Sequence, residues 1–364
     1  MSSENTRAPI LGLATKVVRT RLAEPVRTAI HDSAEMDHVL VRLHAQGPVT
    51  GIGHLFAFGE GWAAALEAMV RQLGDALVGA DAADPEAVHS RLLAAIRFMG
   101  LKGAAQMAVA ALDTACWDVA GKLGREPLWS LLGGTRRSLP CYASDSLWLG
   151  DPVEELAAKA RRRLELGFGA MKVRVGSQDA AADERRVAEV RAAIGPDATL
   201  MADANQGWSR EHAIGTGRRL REHDLYWLED PVPAEDYASL RPVADETGIP
   251  IATGESWFGM LETQEGLDAG GVSVLMPDLE RIGGVTGWMR SAAAARAAGA
   301  RVSPHLFPEV CVHLMCAQPD DHLLEWVPWY EDLFEGAPVV REGRLEPGDA
   351  PGLGFDFNPR VFPG

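Results

Sequence analysis

The chain predicts an α/β protein: a parallel (β/α) barrel preceded by an α+β domain and followed by a short tail. Three observations predict it. From residue 138, short apolar runs alternate with Ala-rich amphipathic stretches, the pattern of successive β/α units. Asp203, Glu229 and Glu255 stand 26 residues apart and belong to the runs ATLMAD, LYWLED and IPIATGE. One strand, one helix and two loops fill such an interval, so the three carboxylates occupy equivalent strand ends. Before residue 135, by contrast, strand-like runs come first and helix-like runs follow.

Each element can be justified in order. TKVVRTRLA and HVLVRLHA alternate apolar and polar residues, and a Gly-Pro turn leads into GIGHLFAF, which reads as an antiparallel meander over residues 14–60. From about 62 to 133, AAALEAMVRQLGDALVG and AAQMAVAALDTACWDVAGKLG carry apolar residues at helical spacing, with AGKLG and LLGG as stops. LPCYAS then opens the barrel. PVEELAAKARRRLELG leads into AMKVRV, DERRVAEVRAAIG into TLMAD, REHAIGTGRRLREH into LYWLED, and YASLRPVADETG into IPIATGE. Units ending in VSVLMPD and RVSPH, and a last run HLLEW, bring the strand candidates to eight, the number that closes a barrel. The domains are therefore expected at 1–135 and 136–332. The tail 333–364, rich in Pro and Gly, lacks the barrel period and is expected to pack back on the first domain.

Composition excludes several classes. A hydrophobic fraction of 47% supports a large core, yet no apolar run approaches the roughly 20 residues that span a bilayer. The start, MSSENTRAPILGLATKVVRT, lacks the pattern of a secretory signal, so a soluble cytoplasmic protein without membrane partners is expected. A net charge of -16 argues against nucleic acid, which is held by clustered Lys and Arg. Cys116, Cys141, Cys311 and Cys316 form no CxxC pair and no zinc spacing, and read as reduced core residues.

The strand ends carry the chemistry. They deliver Lys172 and Arg174 after strand two, Asp203 and Asn205 after three, Glu229 after four and Glu255 after five. Asp278, His305 and Glu325 follow at six, seven and eight. Desolvating so many polar groups at one mouth is costly unless they bind metal or move protons. Three convergent carboxylates suit Mg²⁺, a hard cation with oxygen ligands; the plain alternative is three unconnected strand-end acids. Asp278 can fix the tautomer of His305 and raise its basicity. Asn205 shares a face with Asp203 and is a substrate-binding candidate.

On the motifs MKVRVG, MADANQGW, WLEDPVP, TGES, MPDLERIGGVTGW and SPHLF, the chain resembles the enolase superfamily, and within it the mandelate racemase subgroup, over essentially its whole length. LFAF and YASDSL add to the likeness. The resemblance implies a modified (β/α)8 TIM-type barrel with an N-terminal α+β capping domain, and an active site between the two. It implies one Mg²⁺ per subunit, with Mn²⁺ as the alternative ion, on Asp203, Glu229 and Glu255. The implied chemistry is removal of the α-proton of a small-molecule carboxylate substrate through an enediolate. By the same resemblance Lys172 lies near the substrate carboxylate, with Ser144 close by. Glu325 is protonated and donates to that carboxylate, His305 and Asp278 form the dyad, and Phe56 and Phe58 line the pocket. A homo-oligomer, an octamer, is implied as well.

One departure matters. The subgroup's second base is the last lysine of a K-x-K motif, and here Arg174 stands in its place. Taking a proton from a guanidinium near neutral pH costs roughly 7 to 9 kcal/mol, so Arg174 reads as a charged clamp. A single base, His305, favours dehydration of an acid sugar over racemisation of a 2-hydroxy acid. The rivals are a racemase or epimerase, and a catalytically retired protein that binds metal or ligand. Polar residues in PVRTAIHDSAE, notably Arg27 and His31, add to a lean towards a hydroxylated substrate.

Overall fold

The computed structural model describes residues 7–59, 61–319 and 322–363. Its first sheet is an antiparallel meander of β1 (Ile10–Arg27), β2 (Asp32–Ala45) and β3 (Thr50–Ala57), in the order β1-β2-β3. Four helices follow: α1 (Trp62–Leu77), α2 (Pro85–Ile96), α3 (Gly103–Gly124) and the one-turn α4 (Leu128–Leu131). Successive side chains of a strand point to opposite faces, and β2 uses both. Val39, Val41 and Leu43 face the core shared with α1 to α3. Met36 and Leu40 belong to the core shared with the barrel. Each such buried aliphatic side chain contributes roughly 1.5–3 kcal/mol, so the sheet is fastened on both sides. Gly51 and Gly53 let α3 lie directly on β3, since a Cβ at either would fall 2.0 or 2.1 Å from a carbonyl oxygen of Ala115 or Ala111.

The second sheet is parallel. Its units are β4 (Leu139–Ala143), α5 (Val153–Glu165), β5 (Ala170–Arg174), α6 (Ala180–Ile194), β6 (Thr199–Asp203), α7 (Arg210–Leu220) and β7 (Leu225–Glu229). They continue as α8 (Tyr237–Thr247), β8 (Ile251–Thr253), α9 (Gly259–Ala269), β9 (Val272–Leu275), α10 (Leu279–Ile282), α11 (Gly284–Ala297), β10 (Arg301–Val302), α12 (Pro308–Cys316) and β11 (Leu324–Trp326). All eight strands anticipated from the sequence are present, in the order β10-β9-β8-β7-β6-β5-β4-β11. The sheet curls into a barrel filled by Tyr142, Ala170, Met201, Trp227, Ala252, Val274 and Met276.

The barrel departs from regularity at one seam. Among the described residues β10 and β11 share no ladder. Pro304, two residues beyond Val302, has no N–H to extend one. Side-chain bonds span the gap instead: Ser303 Oγ donates to Leu323 O at 2.8 Å, and the Leu306 amide donates to Glu325 Oε2 at 2.8 Å.

Beyond β11 lie β12 (Phe334–Glu335), β13 (Arg344–Leu345) and β14 (Asp356–Phe357). β13 pairs with β4. Asp356 pairs with Arg42 of β2 at 2.9 Å, and the Leu353 amide donates to Asp118 Oδ1 of α3 at 2.9 Å.

Candidate active site

The period-2 rule places the site. On β5, β6 and β7 the residues that end the strand share a face with barrel-filling residues two or more positions earlier: Ala170 with Lys172 and Arg174, Met201 with Asp203, and Trp227 with Glu229. Each polar group therefore stands directly above the plug of the barrel. The Trp227 indole donates to Glu229 Oε2 at 2.9 Å, tying plug to site. Above them, a cavity of about 50 Å³ has two unlike walls. Lys172, Arg174, Asp203, Asn205, Glu255, Arg281, His305 and Glu325 form the barrel wall. Val26, Thr28, His31, Phe56 and Phe58 come from the first domain, and Trp148, Leu306 and Trp329 join them.

The acidic side is held by one cation. Lys172 Nζ donates to Glu229 and, at 3.0 Å, to Glu325, and lies 3.4 Å from Asp203 Oδ2. Burial pushes the Glu229 carboxyl well up, Lys172 opposes this, and the charges of Asp203, Glu325 and Glu255 push it further up. Asp230 is raised likewise, by burial and then by Glu255. Such crowding suits a hard divalent cation, and Asn205 Oδ1 and Asp230 Oδ1 are buried without a hydrogen-bond donor among the described residues. Among the described residues no three acids already form a metal cage; the Lys172 ammonium sits among Asp203, Glu229 and Glu325. The donor chemistry fits magnesium, with Lys172 taking a cation's part in this arrangement.

The basic side is a dyad. His305 Nδ1 lies 2.7 Å from Asp278 Oδ2, and Nε2 lies 3.3 Å from Glu255. Burial lowers the His305 pKa, but Glu255, Asp278 and Glu325 outweigh it and raise the imidazole to about 9. Asp278 also caps α10, its Oδ1 accepting the amides of Glu280 and Arg281 at 2.9 and 3.0 Å. Asn205 adopts a left-handed backbone, φ 42°, and its amide donates to Asp203 Oδ1 at 2.8 Å. The Arg174 guanidinium lies 4.7 Å over the Trp148 ring and donates to Ser144 Oγ at 3.1 Å. Its buried Nε and Nη1 have no hydrogen-bond acceptor among the described residues, although Nε stands 3.4 Å from Asp203.

One expectation needs correction, and Ser144 and Glu325 stand in settings the sequence did not foresee. Arg27 is exposed, 3.7 Å from Asp32, and does not line the cavity; it ends β1, and its stem crosses Gly150. Ser144 is fully buried outside the cavity lining, and its Oγ accepts from Arg174. The groups around Glu325 oppose the expected protonation. Burial raises its pKa, but Lys172, His305, the Ser144 hydroxyl and the Leu306 amide together hold it well below the usual carboxylate range. Arg281, Trp148 and Trp329 escaped the sequence reading. All three lie just past strand ends, and that position was the available signal.

Residues 155–361 match the family described as enolase C-terminal domain-like, and residues 12–133 match the mandelate racemase / muconate lactonizing enzyme N-terminal domain. The chain belongs to this family. Within the mandelate racemase / muconate lactonizing enzyme family it is 32% identical to L-talarate/galactarate dehydratase of Salmonella typhimurium, over 89% of this chain and 81% of the relative. It is 33% identical to 3,6-anhydro-alpha-L-galactonate cycloisomerase of Streptomyces coelicolor, over 93% and 96%. Among solved structures, a Bradyrhizobium enolase complexed with magnesium and mandelic acid superposes with a TM-score of 0.89 at 33% identity, covering 98% of each chain.

Proposed function

We propose that this family member catalyses Mg²⁺-dependent dehydration of an acid sugar, with His305 as the base. The observation that carries this reading is the pairing of one carboxylate-held imidazole, His305 on Asp278, with Arg174 in the place of a second lysine base. The neutral form of His305 takes the α-proton at Nε2, and Asp278 stabilises the imidazolium through Nδ1; the Glu255 charge, which most raises the imidazole pKa, would be taken up by Mg²⁺ bound there. The same imidazolium then gives its proton to the departing β-hydroxyl. The Cα–H and Cβ–O bonds break, a carbon–carbon double bond forms, water leaves, and the enol becomes a 2-keto-3-deoxy acid.

Asp203, Glu229 and Glu255 are the residues that would hold Mg²⁺. Bound there, the ion would supply positive charge against the carboxylate as electrons move into it. Lys172 supplies a second positive charge from this chain. Arg174, with Nη1 buried and unpaired among the described residues, offers donors to a substrate carboxylate or hydroxyl. His31 is exposed at the rim, where partial desolvation and then the Arg281 charge lower its pKa, so its neutral ring can hydrogen-bond a hydroxyl there.

The relatives that are an acid-sugar dehydratase and a sugar-acid cycloisomerase support this reading. The aromatic rings of Phe56, Phe58, Trp148 and Trp329 favour a second one, racemisation of an aryl 2-hydroxy acid. A library of acid sugars incubated with the enzyme and Mg²⁺, scored for 2-keto-3-deoxy acids, separates the two. Turnover of an acid sugar is expected. Racemisation of mandelate without turnover of any acid sugar would overturn the proposal.

A further inference from the structure

Among the described residues the sheet order leaves β3 at an edge, paired with β2 alone, so its outward amides need acceptors from elsewhere. Two carboxylates meet that need. The Ile52 amide donates to Asp118 Oδ2 of α3 at 3.0 Å, a bond within the first domain. Four residues on, the Phe56 amide donates at 2.5 Å to Glu280 Oε1, a barrel residue 224 positions away in sequence.

Glu280 is 2% exposed and sits on α10, the one-turn helix that Asp278 caps. The carboxylate that orients His305 thus also holds the Glu280 amide, while the Glu280 side chain holds the backbone of a cavity-lining phenylalanine. Phe56 in turn meets Phe307, two residues past His305, with ring centroids 5.7 Å apart. The contacts close a loop: Asp278 to Glu280, Glu280 to Phe56, Phe56 to Phe307, and His305 back to Asp278. Nothing in the chemistry proposed above uses Glu280, and burying a carboxylate beside Asp278 is costly.

We propose that Glu280 is a positioning residue that fastens the Phe56 wall of the first domain to the Asp278 turn, so that pocket closure and the orientation of His305 are set together. It rests on the reading of His305 and Asp278 as the working dyad, and it acts through one hydrogen bond accepted from the Phe56 amide. Gln preserves that acceptor, Leu removes it, and Asp draws it back by one methylene.

The test uses the full-length protein with ¹⁵N-labelled histidine and two readouts that need no substrate. Amide hydrogen exchange is followed over residues 54–58, and the Nδ1–H resonance of His305 is followed by NMR. E280Q is expected to match the parent in both. E280L is expected to speed exchange at Phe56 about ten-fold or more, to leave Ile52 protected, and to shift or broaden the His305 resonance. If E280L does not fold, E280D is expected to show the same changes in weaker form. An unmoved His305 resonance beside a freed Phe56 amide would reduce Glu280 to a structural tie and overturn the coupling. Behaviour of E280Q like that of E280L would remove the hydrogen bond as its cause. Failure of the proposed dehydration appears separately, as absent turnover in a protein whose His305 resonance is intact.

Discussion

The two walls of the cavity are built on different principles. The barrel wall is charged and deeply buried, at fixed offsets from strand ends: Lys172, Asp203 and Glu325 in the lining, and Glu229 and Asp278 behind it, are each 1% exposed or less. The other wall is largely aromatic and partly open, with Phe58 half-buried and His31 exposed, and it comes from a sheet edge, a turn and two loops. Charge that must be held rigidly is placed on strands; surface that must fit a particular molecule is placed where insertion and drift are tolerated.

Substitutions on the two walls should therefore fail in different ways. His305→Asn is expected to cost about 10³-fold or more in exchange of the substrate α-proton with deuterium, while Mg²⁺ affinity by calorimetry stays near that of the parent. Retained exchange would move the base elsewhere. Arg174→Met should lower kcat/KM about 10- to 100-fold, as loss of charged hydrogen bonds to substrate predicts. Deuterium entering Cα from both faces in the unsubstituted enzyme would instead restore the two-base reading. On the aromatic wall, Phe58→Ala should raise KM up to about ten-fold with kcat little changed, and an equal loss in kcat would blur the contrast drawn here.

The barrel wall was legible because a barrel imposes a period. The 26-residue spacing of Asp203, Glu229 and Glu255 follows from the length of a β/α unit, and strand parity then brings Lys172 and His305 to the same mouth. Seam irregularity at β10 had a signal in Pro304 of RVSPH, which cannot extend a ladder, but the period of eight units reads through it. Arg27 was misplaced because a turn residue can face either way, and β1 runs straight through PVR to that residue. Glu280 was invisible for another reason: its partner is a backbone amide, which every residue but proline carries.

A test by stability rather than activity concerns the docking of the two domains. His38 Nδ1 lies 2.9 Å from His54 Nε2, beside Tyr330 and Phe307 of the barrel. Burial lowers His38 to about 4, against a partial counter-effect of Asp37, and lowers His54 well below the usual range. Both are neutral in the fold and protonate more readily when unfolded. Their contribution is full above about pH 6.5 and is lost as the pH falls towards 4, by about 1–3 kcal/mol. Thermal unfolding between pH 7.5 and 4.5 should show this loss, and His38→Gln should flatten it. An unchanged slope in that variant would assign the pH dependence to other groups.

Asp278 spends its two oxygens on different debts: Oδ1 caps a helix and Oδ2 orients an imidazole. An Asn at this position would keep the cap and yet present an amide N–H to His305, selecting the opposite ring tautomer and turning the working nitrogen from acceptor into donor. Descendants of this protein could exchange the aromatic wall residue by residue and explore new substrates. At Asp278 even a nearly isosteric replacement would leave a well-folded protein with its proton on the wrong nitrogen.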